Sequence, residues 1–335
     1  MTGSPKIKFA IAGCGYAGRR HAATIMQHPD CELTALIDQG SIEGTELESL
    51  NLPFFDSIDV YFSKAGEADA VIIATPNGFH APMAMEVLQH QKHVMIEKPM
   101  ALRNKEARAI IKKAGEVNRQ VMVVLQNRYS PVSLWLKQLV HSGILGKLNF
   151  VEVNCFWNRD ERYYKKGNWH GTASLDGGTL FTQFSHFIDT IYWLFGDIEN
   201  INSRFYNFSH HHLTEFEDTG AVVFDFQDGG TGCFNFSTAA WDKNVESSLT
   251  ILAENGSIKI SGQYMNTIEH CHIRNYQLPA SFAQYEPSNN HFQMLDAMVH
   301  SIRNGGHTNA EEGAQTVDII ERMYAAHQTN HNQLT

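Results

Sequence analysis

The sequence predicts an α/β protein with two domains. The first is a doubly wound parallel sheet. The second is α+β, with an open and mostly antiparallel sheet. Three observations carry this. Up to about residue 130, short continuous apolar runs alternate with helical stretches, as strands buried on both faces of a parallel sheet require. A glycine-rich turn, Gly13 to Gly18, stands between the first run and the first helix. Beyond about residue 130, strand-like segments follow one another with turn signals between them and few helices. The 335 residues exceed one ordinary core, and we place the domains at 1–128 and 129–335.

The elements follow in order. IKFAIAG is the first run, and a helix is expected over 17–28. ELTALID, ADAVIIATP, HVMIE and QVMVVLQN are the next four runs. Between the last two, Ala107, Ile110, Ile111, Ala114 and Val117 recur at helical spacing, with Asn104 as the expected N-cap. Ser130 and Pro131 open a further helix, which runs through Val140. Five strands are then expected, in KLNFVEVNCFW, GAVVFDF, TGCFNFST, SLTILA and SIKIS. Asp228-Gly229-Gly230 and Asn255-Gly256 read as hairpin turns among them. Helical spacing at Phe292, Leu295, Met298, Val299 and Ile302, and again at Ala314, Val317, Ile320 and Tyr324, closes the chain.

Composition narrows the class. The chain is 43% hydrophobic and 19% charged, a globular balance. No apolar run reaches the roughly 18 residues of a membrane span, and the opening MTGSPKIKF lacks a signal-peptide core. The five cysteines are scattered and form no CxxC, which points to a reducing, cytoplasmic setting without a disulfide frame. A net charge of −10 argues against general nucleic-acid binding. The run His210-His211-His212 lacks a carboxylate or cysteine at ligand spacing, so a solvated loop is expected and no metal.

GCGYAG fits GxGxxG, follows a strand and opens a helix. Gly13 permits the turn, Gly15 lets a pyrophosphate approach the backbone, and Gly18 allows close helix–strand packing. Asp38 ends the next strand, where its carboxylate accepts ribose hydroxyls and repels a 2′-phosphate. NAD is therefore the expected cofactor.

The motifs GCGYAGRRH, ATPNGFH, MIEKPMAL and GGTLFTQFSHFIDTIYWLFG stand in the order seen in one family. Over nearly its whole length the chain resembles the glucose–fructose oxidoreductase, inositol dehydrogenase and MocA-like (Gfo/Idh/MocA) dehydrogenases. The resemblance implies an NAD-binding first domain and a second domain that holds substrate and forms dimers or tetramers. It implies that Lys98 is the active-site lysine and that Glu97 neighbours the nicotinamide ribose. It extends cofactor contact to Tyr16, Ala17, Thr75, Pro76, Asn77, His80, Lys98, Gln126 and Trp169. Gln126, Asn127 and Arg128 end the fifth run, at the crevice edge where doubly wound sheets bind ligands.

Thr182, His186, Asp189 and Trp193 share one helical face, while Phe184, Phe187, Ile188, Ile191 and Phe195 share another. His186 matches the family's catalytic histidine, which suits a general base near neutral pH. Thr182 stands where many members carry an aspartate, and it joins Lys98 and His186 as a candidate catalytic residue. Asp189 could orient His186 or serve as a cap.

CFWNRDERYYKKGNWHG packs Arg159, Arg162, Lys165 and Lys166 among aromatics. With Arg128, these cations suit an anionic sugar, since arginine binds carboxylate and phosphate through two parallel bonds. The stretch, with QNRYSP, resembles the dehydrogenases that oxidise the 3-hydroxyl of UDP-N-acetylglucosaminuronate in surface-polysaccharide synthesis. Two alternatives stand beside that reading. One is oxidation of an inositol or free aldose by NAD. The other is a non-catalytic NAD-binding sensor.

Overall fold

A computed structural model describes residues 4–64, 66–165, 167–279, 290–306 and 308–332. The first part of the chain runs β1 (Ile7–Ala12), α1 (Tyr16–Gln27), β2 (Cys31–Ile37), β3 (Phe54–Phe55), α2 (Ile58–Lys64), β4 (Ala70–Ile73), α3 (His80–Gln89), β5 (His93–Ile96), α4 (Asn104–Val117) and β6 (Val121–Val123). Its six strands are all parallel, in the order β3-β2-β1-β4-β5-β6. The order reverses between β1 and β4, which is where such sheets open a crevice at their carboxyl ends. Phe9, Ile11, Val71, Ile72, Val94, Met95 and Ile96 are fully buried, as strands covered on both faces require.

The second part runs α5 (Pro131–His141), β7 (Leu148–Phe156), α6 (Ala173–Asp176), α7 (Ser185–Phe195), β8 (Ile198–Tyr206), β9 (Thr219–Phe226), β10 (Thr231–Ser237), β11 (Glu246–Ala253), β12 (Gly256–Ser261) and β13 (Thr267–Ile273). The seven strands order as β13-β12-β11-β7-β10-β9-β8. Only β7 and β10 pair in parallel, so the sheet is mostly antiparallel as expected. Ser130 caps α5, its hydroxyl accepting from Ser133 N. Two helices end the chain, α8 (Asn290–Asn304) and α9 (Ala310–Asn332).

Three strands escape the sequence reading. The two residues of β3 are too few to form a pattern. β8 and β13 lie at the two edges of the second sheet and are largely exposed, so they carry polar side chains such as Glu199, Asn202, Glu269 and His270. The expected cap at Asn104 also shifts. Arg103 takes the cap position, and the Asn104 amide oxygen accepts from Arg108 Nε.

The domain boundary differs from 129–335. The chain forms two units: residues 1–125 with 291–317, and residues 126–290 with 318–335. Side chains explain the return of 291–317. The Asn309 amide donates to Val123 O and accepts from Val123 N, both at 2.8 Å, like one more strand residue beside β6. Arg303 pairs with Asp30, and Arg108 with Glu311. None of these links shows in periodicity. No described helix is long and apolar enough to cross a membrane.

Candidate active site

In the first unit the glycine-rich turn has the geometry a dinucleotide needs. Gly13 has φ +97, and a Cβ there would lie 2.4 Å from Ala74 O. A Cβ on Gly18 would lie 1.8 Å from Gly13 O. Nothing stands within 4 Å of a Cβ built on Gly15, which leaves the room a pyrophosphate requires. Gly15 also precedes α1 with no side chain capping its first amides, and Tyr16 is exposed beside it. Asp38 does more than expected. Its Oδ2 accepts from Cys14 N at 2.5 Å and its Oδ1 from Gly40 N at 2.8 Å, so the carboxylate also shapes the turn.

The second turn of the crevice holds Thr75, Pro76 and Asn77, of which Asn77 is buried. His80 is fully buried, with Nδ1 2.7 Å from Pro99 O and Nε2 2.9 Å from Thr75 O. Burial pushes its pKa below the ordinary value against these two carbonyls, so the neutral ring donates to one of them. His80, expected beside the cofactor, thus ties the Thr75 turn to the Glu97-Lys98-Pro99 turn.

Glu97 follows β5 and is largely buried. Its Oε1 lies 2.8 Å from His21 Nε2, and its Oε2 accepts from Lys98 N at 3.2 Å. Burial alone would raise its pKa, but the His21 bond and the charges of His21, His291 and Lys98 hold it at about 2. Lys98 is half-buried, and the Lys98–Pro99 peptide is cis. His21 sits on the buried face of α1 with Gly18, Ala22 and Ile25. A histidine within an apolar helical stripe was the signal that could have revealed it.

In the second unit a π-helical turn, Leu180–Phe184, leads into α7. Such turns recur at functional sites. Here it sends Thr182 and Gln183 into buried contacts just before His186. The Thr182 hydroxyl donates to the Asp176 carboxylate at Oδ1 and lies 3.0 Å from Asp176 O. Asp176 Oδ2 accepts from Gly171 N. The sequence therefore lacks an aspartate at 182 yet reaches one, six residues earlier, through a hydroxyl. His186 is buried, and its Nε2 lies 3.0 Å from Gln126 Nε2. Gln126, expected at the cofactor, is thus placed against the histidine.

The cations of this unit divide. Arg128, expected among the substrate-binding cations, is buried and forks onto Asp189 of α7. Arg159 gives Nε to Gln183 Oε1 at 2.7 Å and Nη1 to Asn158 O and Asn244 Oδ1. It also lies over the rings of Trp157 and Tyr163. All of these partners are neutral. Arg162 is exposed and paired with Asp160 and Asp242, which neutralise it. Lys165 is exposed, and Lys166 lies outside the described residues. Trp169 stacks on His170, with ring centroids 3.8 Å apart. Of the histidine run, His210 is buried beside Tyr164, with its backbone N bound to Asp218 Oδ2. Among the described residues no group of histidine, cysteine and acidic side chains could hold a metal.

Residues 7–125 match the model of an oxidoreductase family with an NAD-binding Rossmann fold, and residues 134–259 match the Gfo/Idh/MocA C-terminal domain. The chain belongs to the Gfo/Idh/MocA family. Two solved relatives are WlbA dehydrogenases in complex with NADH and UDP-GlcNAcA. The one from Bordetella pertussis is 29% identical, with a TM-score of 0.87 and 97% of each chain covered. The one from Chromobacterium violaceum is 28% identical, with a TM-score of 0.89 and 98% and 97% of the chains covered. An uncharacterised oxidoreductase from Synechocystis is 28% identical over 203 residues, which is 60% of this chain. That match spans about half the length of the relative, 54%. For a Gfo/Idh/MocA protein, the open space at Gly15 and the Asp38 carboxylate fit NAD.

Proposed function

We propose that the protein oxidises a hydroxyl of an anionic nucleotide sugar with NAD, specifically the 3-hydroxyl of UDP-N-acetylglucosaminuronate. The observation that carries this is Arg159, a half-buried guanidinium whose partners are all neutral. Its contacts use Nε and Nη1, which leaves Nη2 to a carboxylate or phosphate. An uncharged polyol would leave this charge unmatched. The two WlbA relatives, whose complexes contain UDP-GlcNAcA, support the same choice.

Gly13, Gly15, Tyr16, Ala17 and Gly18 would receive the pyrophosphate, with Asp38 and Glu97 on the two riboses and Thr75, Pro76 and Asn77 alongside. When bound, NAD accepts the hydride from the carbon that is oxidised. His186 takes the hydroxyl proton as the carbon–oxygen double bond forms. The Lys98 ammonium steadies the oxygen as negative charge develops on it. The Thr182 hydroxyl donates its hydrogen bond to Asp176, so towards a substrate hydroxyl its oxygen acts as the acceptor.

Exchanging Lys98 for Met tests the assignment. Turnover of UDP-N-acetylglucosaminuronate is expected to fall by about 10³-fold or more, while NAD affinity, read by fluorescence titration, stays near that of the unaltered protein. Full activity in the variant would refute the role of Lys98.

A further inference from the structure

The short turn Gln126–Tyr129 and helix α7 are joined by two side-chain pairs. Gln126 meets His186, Nε2 to Nε2, at 3.0 Å. Two residues on, Arg128 gives Nε to Asp189 Oδ2 at 2.9 Å and Nη2 to Asp189 Oδ1 at 2.5 Å. His186 and Asp189 are three residues apart and share one face of the helix. All four side chains are buried. Arg128 also covers the Trp193 ring, 5.5 Å from its centroid. A planar two-bond fork fixes both distance and direction. The Gln126 amide is thereby held against the imidazole.

An amide in that place decides which ring nitrogen carries the proton. Its oxygen and nitrogen exchange places by a half-turn. With the NH₂ group towards the ring, Nε2 must offer a lone pair, and the bond is lost when the ring gains a proton there. With the oxygen towards the ring, Nε2–H donates to it, and the basic lone pair lies on Nδ1. This second arrangement survives proton uptake, because the imidazolium keeps its Nε2–H.

We propose that Gln126 is a positioning residue for His186. Its amide oxygen accepts from Nε2–H and presents Nδ1 as the nitrogen that takes the proton, and the Arg128–Asp189 pair holds the amide in place. The functional weight of this rests on His186 being the base, but its test does not. A neutral amide supports the imidazolium less than a carboxylate would.

Long-range proton–nitrogen NMR of the histidine rings in the full-length protein tests it, with His186→Asn used to assign the signals. Neutral His186 is expected in the Nε2–H form. Gln126→Glu, which keeps the side-chain shape, is expected to raise the His186 pKa by about one unit or more. Gln126→Leu is expected to lower it and to mix the two tautomers. A wild-type ring protonated at Nδ1, or a pKa unmoved in both variants, would overturn the proposal. An amide that only filled space would alter the melting temperature and leave the tautomer as it was. Turnover that persists in His186→Asn would remove the base assignment and leave the tautomer result standing.

Discussion

Each unit buries one glutamate, and the two are held in opposite ways. In the first, Glu97 is buried beside His21 and stays ionised down to a pKa of about 2. In the second, Glu217 is buried against the Tyr324 hydroxyl and Thr179 N, and burial pushes it up to about 7 despite those bonds. Arg159, in the same unit, likewise has only neutral partners, and burial lowers its pKa. Three residues on, the exposed Arg162 has two carboxylates. The first unit therefore completes its own charge pairs around the Glu97-Lys98 turn. In the second, Arg159 has only neutral partners and is left for an anion from outside to complete. Charge that the protein has already matched holds structure together, while charge it has left unmatched marks a place for an anion.

Four variants sharpen or break this contrast. The largest effect is expected of Arg159→Gln. It should raise KM for the anionic nucleotide sugar by about 10- to 100-fold, the worth of one charge-assisted bond, with a much smaller change in kcat. Next comes His21→Ala. Without its partner, Glu97 loses the influence that lowers its pKa, and NAD affinity should fall by about tenfold at neutral pH. The sign in the unaltered protein follows from the lowered pKa. Stability from ionised Glu97 is full above the ordinary value of 4.5 and is lost as pH falls towards about 2. The variant should lose NAD affinity at distinctly higher pH, and titrations across an acidic series would show it.

Glu217→Gln is expected to act on stability alone. The folded state favours the protonated carboxyl, so that contribution is full below 4.5 and disappears as pH rises through about 7. The glutamine variant should melt a few degrees higher than the unaltered protein at pH 8 and nearly with it at pH 4. The smallest effect belongs to Arg162→Gln, a change in KM of less than about threefold, because its exposed pairs are screened. Equal effects of the Arg159 and Arg162 changes would break the comparison.

The legible parts of the sequence were those whose position fixes direction. A glycine-rich turn between a strand and a helix can only face the crevice, and so can Asp38, Thr75 or Lys98 at a strand's carboxyl end. The helical face of His186 was readable for the same reason. Side chains in loops were not. Arg159 and Arg162 look alike in NRDER, and only the fold gives one Gln183 and the other Asp242. Asp176 could not be tied to Thr182, because Gly177 and Gly178 break the helix between them and Thr182 lies inside the π-helical turn. Gln126 and His186 are 60 residues apart, and nothing in either segment announces the pair.

The most direct measurement mixes the protein with NAD and UDP-N-acetylglucosaminuronate and follows NADH absorbance. UDP-N-acetylglucosamine, myo-inositol and glucose serve as parallel samples at equal concentration. The account predicts NADH from the uronate, at least as a burst equal to the enzyme present, and little from the other three. NADH formed as fast from myo-inositol or glucose as from the nucleotide sugar would contradict it.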